Sequence, residues 1–188
     1  GNGGPAYGSA LQPVEVGSSG GGVYVDGWLA GTGGTGGGAI HLVVENELTL
    51  EGTISANAGP GGPDKFGGGA GGSLWIETGR LAGHGALRAT GSDGAGAGGG
   101  GGGGRIAVYY REAAEYAGFP DCHLAGGGGG GEPSGQPGTL GFFDVSRDNG
   151  QPSLYVPRDR FAYPPQAVVR LAHVSVGTTT APEARLEL

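Results

Sequence analysis

Four short stretches of period-2 character follow glycine runs in this chain, and all four are entered through the same junction. GGAIHLV (37–43), GGSLWIE (71–77), GGRIAVY (103–109) and PGTLGFF (137–143) align without gaps. Their first apolar positions, Ile40, Leu74, Ile106 and Leu140, recur at spacings of 34, 32 and 34 residues. A period near 33 with a strand in each unit belongs to solenoids and stacked arrays.

The first two units agree further along, where ELTLEGTISA (47–56) is echoed by RLAGHGALRA (80–89). A unit therefore reads as strand, short strand, glycine corner, short strand, then a glycine-rich excursion. The 3.6-residue stripe and caps of a helix are absent. REAAEY (111–116) is the exception and is expected to form a turn or two of helix. The pattern predicts an all-β chain folded as a right-handed parallel β-solenoid, with a β-sandwich of meandering strands as the alternative.

Alternation sorts the faces of the predicted sheet. Ile40, Leu74, Ile106 and Leu140, with Leu42, Ile76, Val108 and Phe142 two residues on, form the core column. The opposite column holds His41, Trp75, Ala107 and Gly141, then Val43, Glu77, Tyr109 and Phe143. A face left to solvent would not carry Trp, Tyr and Phe together, so a cover over part of it is expected.

Composition sharpens this. Glycine supplies 49 of the 188 residues and the longest run, GAGAGGGGGGG, occupies 94–104. Ordering glycine costs more backbone entropy than ordering any other residue, so a packed glycine run needs partners. Glycine strings adopt three-residue-per-turn helices of the polyproline II type, and no side chain holds neighbouring helices apart. The expectation is a packed polyglycine layer lying over the aromatic face, with irregular loops as the alternative. Residues 1–149 form the glycine-rich repeat region. Residues 150–188 are glycine-poor and read as a terminal strand module that continues or caps the sheet.

Charge and chemistry narrow the function classes. The net charge is −7 with Lys65 as the single lysine, so no basic stripe offers itself to nucleic acid. No run of about 20 apolar residues is present to span a bilayer as a helix. The chain holds no methionine and opens on Gly1, so a processed product or a fragment is expected, any export signal already removed. A single cysteine, Cys122, excludes an internal disulfide and reads as a partly buried free thiol, with an intermolecular bridge or a reactive nucleophile as the alternative.

Glu45, Glu47 and Glu51 lie close together, but a solvated strand explains them as well as a glycosidase pair does. Asp64, Asp93 and Asp121 fall in separate units without the nonapeptide calcium repeat. His41, His84, His123 and His173 lack zinc-ligand spacing. The glycine runs enter strands, not helix N-termini, which excludes a phosphate-binding loop. Thr32, Thr35 and Thr178–Thr180 give only a slight hint of a flat ice-binding array. No catalytic residue, cofactor or metal is expected. Trp28, Trp75, Tyr109 and Phe143 are the candidate residues for a chain-to-chain interface or for stacking on sugars.

The strings GGGAI (36–40), GGSLWI (71–76) and GGGGRIAVYY (101–110), with LAGHGALRA (81–89), resemble the glycine-rich repeat regions of very large secreted or surface-displayed bacterial proteins. The resemblance covers residues 20–145 and carries no catalytic motif. It implies an extracellular or cell-surface structural protein, a segment of a filament, sheath or adhesin, whose partners are copies of itself. A carbohydrate-binding or polysaccharide-cleaving β-helix acting on surface glycans is the alternative.

Overall fold

The computed structural model describes residues 8–62, 66–146, 150–158, 160–162, 169–177 and 185–187. Asp64, weighed above as a calcium ligand, and Thr178–Thr180 lie outside them. A two-stranded antiparallel hairpin, β1 (Val23–Val25) and β2 (Trp28–Gly31), precedes the stack. The stack is built from β3 (Ala39–Leu50), β4 (Thr53–Ser55), β5 (Ser73–Gly83), β6 (Ala86–Arg88), β7 (Arg105–Tyr116) and β8 (Thr139–Asp144). The strands β3, β5, β7 and β8 lie side by side and parallel, and β4 pairs parallel with β6. This is a parallel β-solenoid of about three turns, not a sandwich of meandering strands.

The register is the one the glycine junctions imply. Ile40 faces Leu74, Leu74 faces Ile106, and Ile106 faces Leu140. Leu74, Ile76, Ile106, Val108, Leu140 and Phe142 are fully enclosed, and Leu87 and Leu124 close the core from the opposite side of the coil. Removing such side chains from water contributes roughly 1.5–3 kcal/mol each, which offsets the entropy of ordering the glycines.

Beyond this apolar core the coil is filled mainly by backbone, with a few side chains such as those of Thr35, Phe66 and Ser92 among the glycines. Segment 67–72 shows how the backbone substitutes for side chains. Gly67 and Ala70 donate to Gly21 O and Ser18 O, while Gly68 and Gly71 donate to Gly99 O and Gly102 O. Gly69 donates to Ser92 Oγ and Gly72 to Ala56 O. Every third amide thus shares a direction, the signature of a three-residue turn.

The returning segments 32–37, 67–72, 98–104 and 133–138 run parallel in one row, joined by bonds such as Gly34 N to Gly67 O and Gly100 N to Pro133 O. The outgoing segments 56–62, 89–94 and 124–130 form a second row, joined by Ala58 N to Thr90 O and Gly94 N to Gly128 O. Antiparallel bonds such as Gly101 N to Ser92 O and Gly138 N to Leu124 O tie row to row. The layer satisfies backbone groups that a sheet would otherwise have to satisfy.

Three expectations need correction. REAAEY is not helical: it is the C-terminal half of β7. Pairing with β5, burial of Tyr116 and ion pairs from Arg80 to Glu112 and Glu115 override its helix propensity. The polyglycine layer continues the coil and does not lie over the aromatic face. That face is covered instead by the N-terminal residues 9–16 and by Phe161 of β10 (Arg160–Ala162), because these carry the hydrogen-bonding carbonyls and the ring that fit it. The third concerns VVRL (168–171), which in sequence also reads as a strand of the terminal module: Val168 lies outside the described residues, and 169–171 carry no strand pairing among them.

The glycine-poor end continues the sheet. β9 (Ser153–Val156) pairs antiparallel with β8, β11 (His173–Val176) pairs parallel with β9, and β12 (Arg185–Glu187) pairs parallel with β10. The six-stranded order is β11-β9-β8-β7-β5-β3, so β3 is an edge.

The core also sets the response to alkali. Burial, and then Cys122, pushes the Tyr116 phenol well above the usual range, and its hydroxyl donates to Gly85 O at 2.7 Å. Burial, then Asp144 and Tyr155, pushes Tyr110 up to about 12. A raised folded-state value leaves the fold at full strength below pH 10, the ordinary tyrosine value, since both states then hold the proton. Above pH 10 the unfolded chain loses protons first and stability falls. Ultraviolet titration is expected to show neither phenol ionising near pH 10 while the chain stays folded. Their ionisation at pH 10 in a chain still folded by circular dichroism would contradict it.

Candidate functional surface: the outer sheet face and the open edge

The outer face of the sheet is built by the residues that alternate with the core column. At the strand entrances it is closed. Ser73 Oγ donates to Glu15 O at 2.5 Å, Arg105 Nη2 donates to the same carbonyl at 3.3 Å, and Tyr109 Oη donates to Leu11 O at 2.8 Å. These bonds strap residues 11–15 across the sheet. Towards β8 the face becomes a second small core of Ala107, Phe143, Leu154, Val156 and Phe161.

The four predicted aromatics have different fates in this arrangement. Phe143 is fully buried, with Phe161 edge-on at 5.8 Å and Tyr109 stacked at 4.6 Å. Tyr109 is half-buried between that ring and the N-terminal strap. Trp75 is also half-buried, stacked on His41 at 3.8 Å with planes 6° apart, and its Nε1 is enclosed without a hydrogen-bond partner. Trp28 stands apart on the β1–β2 hairpin, 80% exposed beside Tyr24 at 71%. The structure brings Trp75, Tyr109 and Phe143 onto one face and leaves Trp28 elsewhere.

Between β3, β5 and β7 the outer face opens into a shallow groove of about 300 Å³. Glu45, Glu77, Tyr109 and Arg111 line it, with Val43 at one lip and Val145 at the other. Glu77 also accepts from His41 Nε2 at 2.9 Å, which steers that imidazole across Trp75. The groove combines two carboxylates, a guanidinium and an aromatic edge, a set that hydrogen-bonds hydroxyl-rich ligands. Arg111 was missed from the sequence because it opens the segment read as helical. A strand reading of that segment places it two residues beyond Tyr109, on the same face.

The remaining charged candidates are engaged elsewhere. Arg80 reaches Glu47 at 3.4 Å, Glu112 and Glu115, knitting β3, β5 and β7 together. Glu51 meets His84 at 2.6 Å. Asp93 Oδ1 accepts the Gly128 amide at 2.6 Å, so that carboxylate pins one glycine segment to the next. Cys122 is fully buried and its thiol donates to Gly118 O. Among the described residues no three of His, Cys, Asp and Glu gather as a metal cluster. No helix among the described residues is long and apolar enough to cross a membrane.

No protein family, curated protein or solved structure matches the chain.

The last feature is the edge itself. β3 is 12 residues long and, among the described residues, has a neighbour on one side only. At its start Ile40 is 37% exposed and Val43 60% exposed, whereas their counterparts in β7, Ile106 and Tyr109, are enclosed and half-buried. The core column thus runs out to solvent at this end of the solenoid.

Proposed function

We propose that this chain is a non-enzymatic structural protein of the cell exterior, a stackable segment of a filament, sheath or adhesin that associates with copies of itself. The observation that carries the reading is the open β3 end, where a parallel stack stops with a bare backbone edge and a partly exposed core column. Edges of this length template the addition of another strand unless they are guarded. The polyglycine layer supports the same reading. Its direct backbone packing gives a stiff body with few interior side chains to rearrange, which suits a spacer more than a reaction site. Negative-stain electron microscopy of the purified full chain is expected to show oligomers or filaments, and dispersed single particles at every concentration would overturn the proposal.

The groove lined by Glu45, Glu77, Tyr109 and Arg111 favours a second reading, a surface that binds glycans. On a glycan array this reading requires binding that Arg111→Ala abolishes. Absence of binding to any glycan removes it and leaves the structural proposal in place.

A further inference from the structure

We propose that the free edge of β3 recognises itself, pairing antiparallel with β3 of a second copy about a two-fold axis at Leu42. The inference rests on the self-associating reading above and adds the surface, the direction and the register.

The backbone fixes which groups are on offer. Ser73 N donates to Gly38 O, where β5 begins to pair with β3. In a parallel ladder alternate residues address one neighbour. Ile40, Leu42 and Val44 therefore turn their amides and carbonyls toward β5, and Ala39, His41 and Val43 turn theirs outward.

Natural sheets guard such edges with lysine, proline, charges or bulges. Residues 39–44, AIHLVV, contain none of these. The guards begin immediately afterwards: the register breaks between Val44 and Glu47, and Glu45 and Asn46 oppose the single Gly79. The bare edge is therefore one short, flat segment with a defined end.

Symmetry then selects the register, because residues directly opposite must share a face. An axis at His41 would set that imidazole against its own copy and Val44 against Gly38. An axis at Val43 would push Ile40 against Asn46 in the bulge. An axis at Leu42 places Ile40 opposite Val44 and Leu42 opposite its own copy on the core side. On the outer side it places His41 opposite Val43, and these two, both with backbone turned outward, exchange hydrogen bonds twice. On the core side every apolar residue of this segment meets an apolar one. The far edge of the sheet, β11, offers only four residues and alternates His173 and Ser175 with valine, so it lacks this self-complementarity.

Sedimentation velocity of the full chain over a range of concentrations tests the inference. Wild type is expected to form a dimer. Val43→Pro removes one outward amide, at an edge position where proline is tolerated, and is expected to weaken the dimer about tenfold or more. Leu42→Cys is expected to give a disulfide-linked dimer on mild oxidation, since a central non-hydrogen-bonded pair brings the two Cα atoms to about 4.5 Å, and Cys122 is enclosed. Circular dichroism reports whether Val43→Pro has folded, and the cysteine cross-link decides the question if it has not. A wild type that is monomeric throughout removes both the inference and the self-associating reading. Assembly that survives Val43→Pro, with no cross-link from Leu42→Cys, overturns the β3 pairing and leaves that reading standing.

Discussion

Gly101→Ala is expected to destabilise the chain by about 3 kcal/mol or more, a large effect for the addition of one methyl group. A Cβ at Gly101 would be driven into the carbonyl of Gly69, well inside the 3.0 Å that real Cβ atoms respect. What it meets is the backbone of Gly68 and Gly69, not the movable tip of a side chain. Gly68 and Gly69 lie beside it, Gly69 accepts from Ser92 N, and Gly101 itself donates to Ser92 O. Relief would require separating segments 67–72 and 98–104, which would break the bonds from Gly68 and Gly71 on the same seam.

Gly38→Ala supplies the control, because a Cβ there meets nothing within 4 Å. Both substitutions stiffen the unfolded chain alike, so that contribution cancels between them. Gly38→Ala is expected to stay within about 0.5 kcal/mol of wild type. Equilibrium denaturant melts of the two variants measure the difference, and equal midpoints would show that the layer does not depend on close approach of backbones.

The same contrast explains what was legible in the sequence. Strand register was legible because each glycine junction is followed by an apolar residue at a fixed offset. The alignments Ile40–Leu74–Ile106–Leu140 and Thr53–Ala86 appear unchanged as facing pairs. The three-residue hydrogen-bond pattern of the glycine runs follows from their lack of side chains. Their placement did not follow, because a glycine string has no polar or apolar face to say which way it turns.

Residues 111–116 failed for the opposite reason. Their local composition favours helix, and only the cross-strand arginine at Arg80, 31 positions earlier, shows what the glutamates are for. The cover over the aromatic face was equally hidden. It is made through main-chain carbonyls of Leu11 and Glu15, which no side-chain pattern encodes. The groove at Arg111 and the bare edge at Val43 both lie where one of these two misreadings had been made or where only pairing order can tell an edge from a centre.

Ile106→Ala is expected to cost about 2–5 kcal/mol, and Ile40→Ala, at the equivalent point of the repeat, only about 1 kcal/mol in the dilute chain. The sequence treats the two residues as the same rung of one ladder, but the fold does not. Ile106 has Leu74 on one side and Leu140 on the other and is fully enclosed. Truncating it opens a cavity among residues that the glycine layer and both flanking strands hold in place. Ile40 has Leu74 on one side and water on the other, so its truncation leaves no cavity to fill.

That asymmetry is a property of the solenoid's end, and it makes the Ile40 variant a reporter of assembly. If a second copy covers the β3 edge, Ile40 becomes an interior rung. The cost of Ile40→Ala should then rise with protein concentration by mass action, while that of Ile106→Ala stays constant. Thermal melts of both variants across about a hundredfold range of concentration separate the two behaviours. A deficit for Ile40→Ala that is small and independent of concentration would mean that this end of the stack stays open in solution.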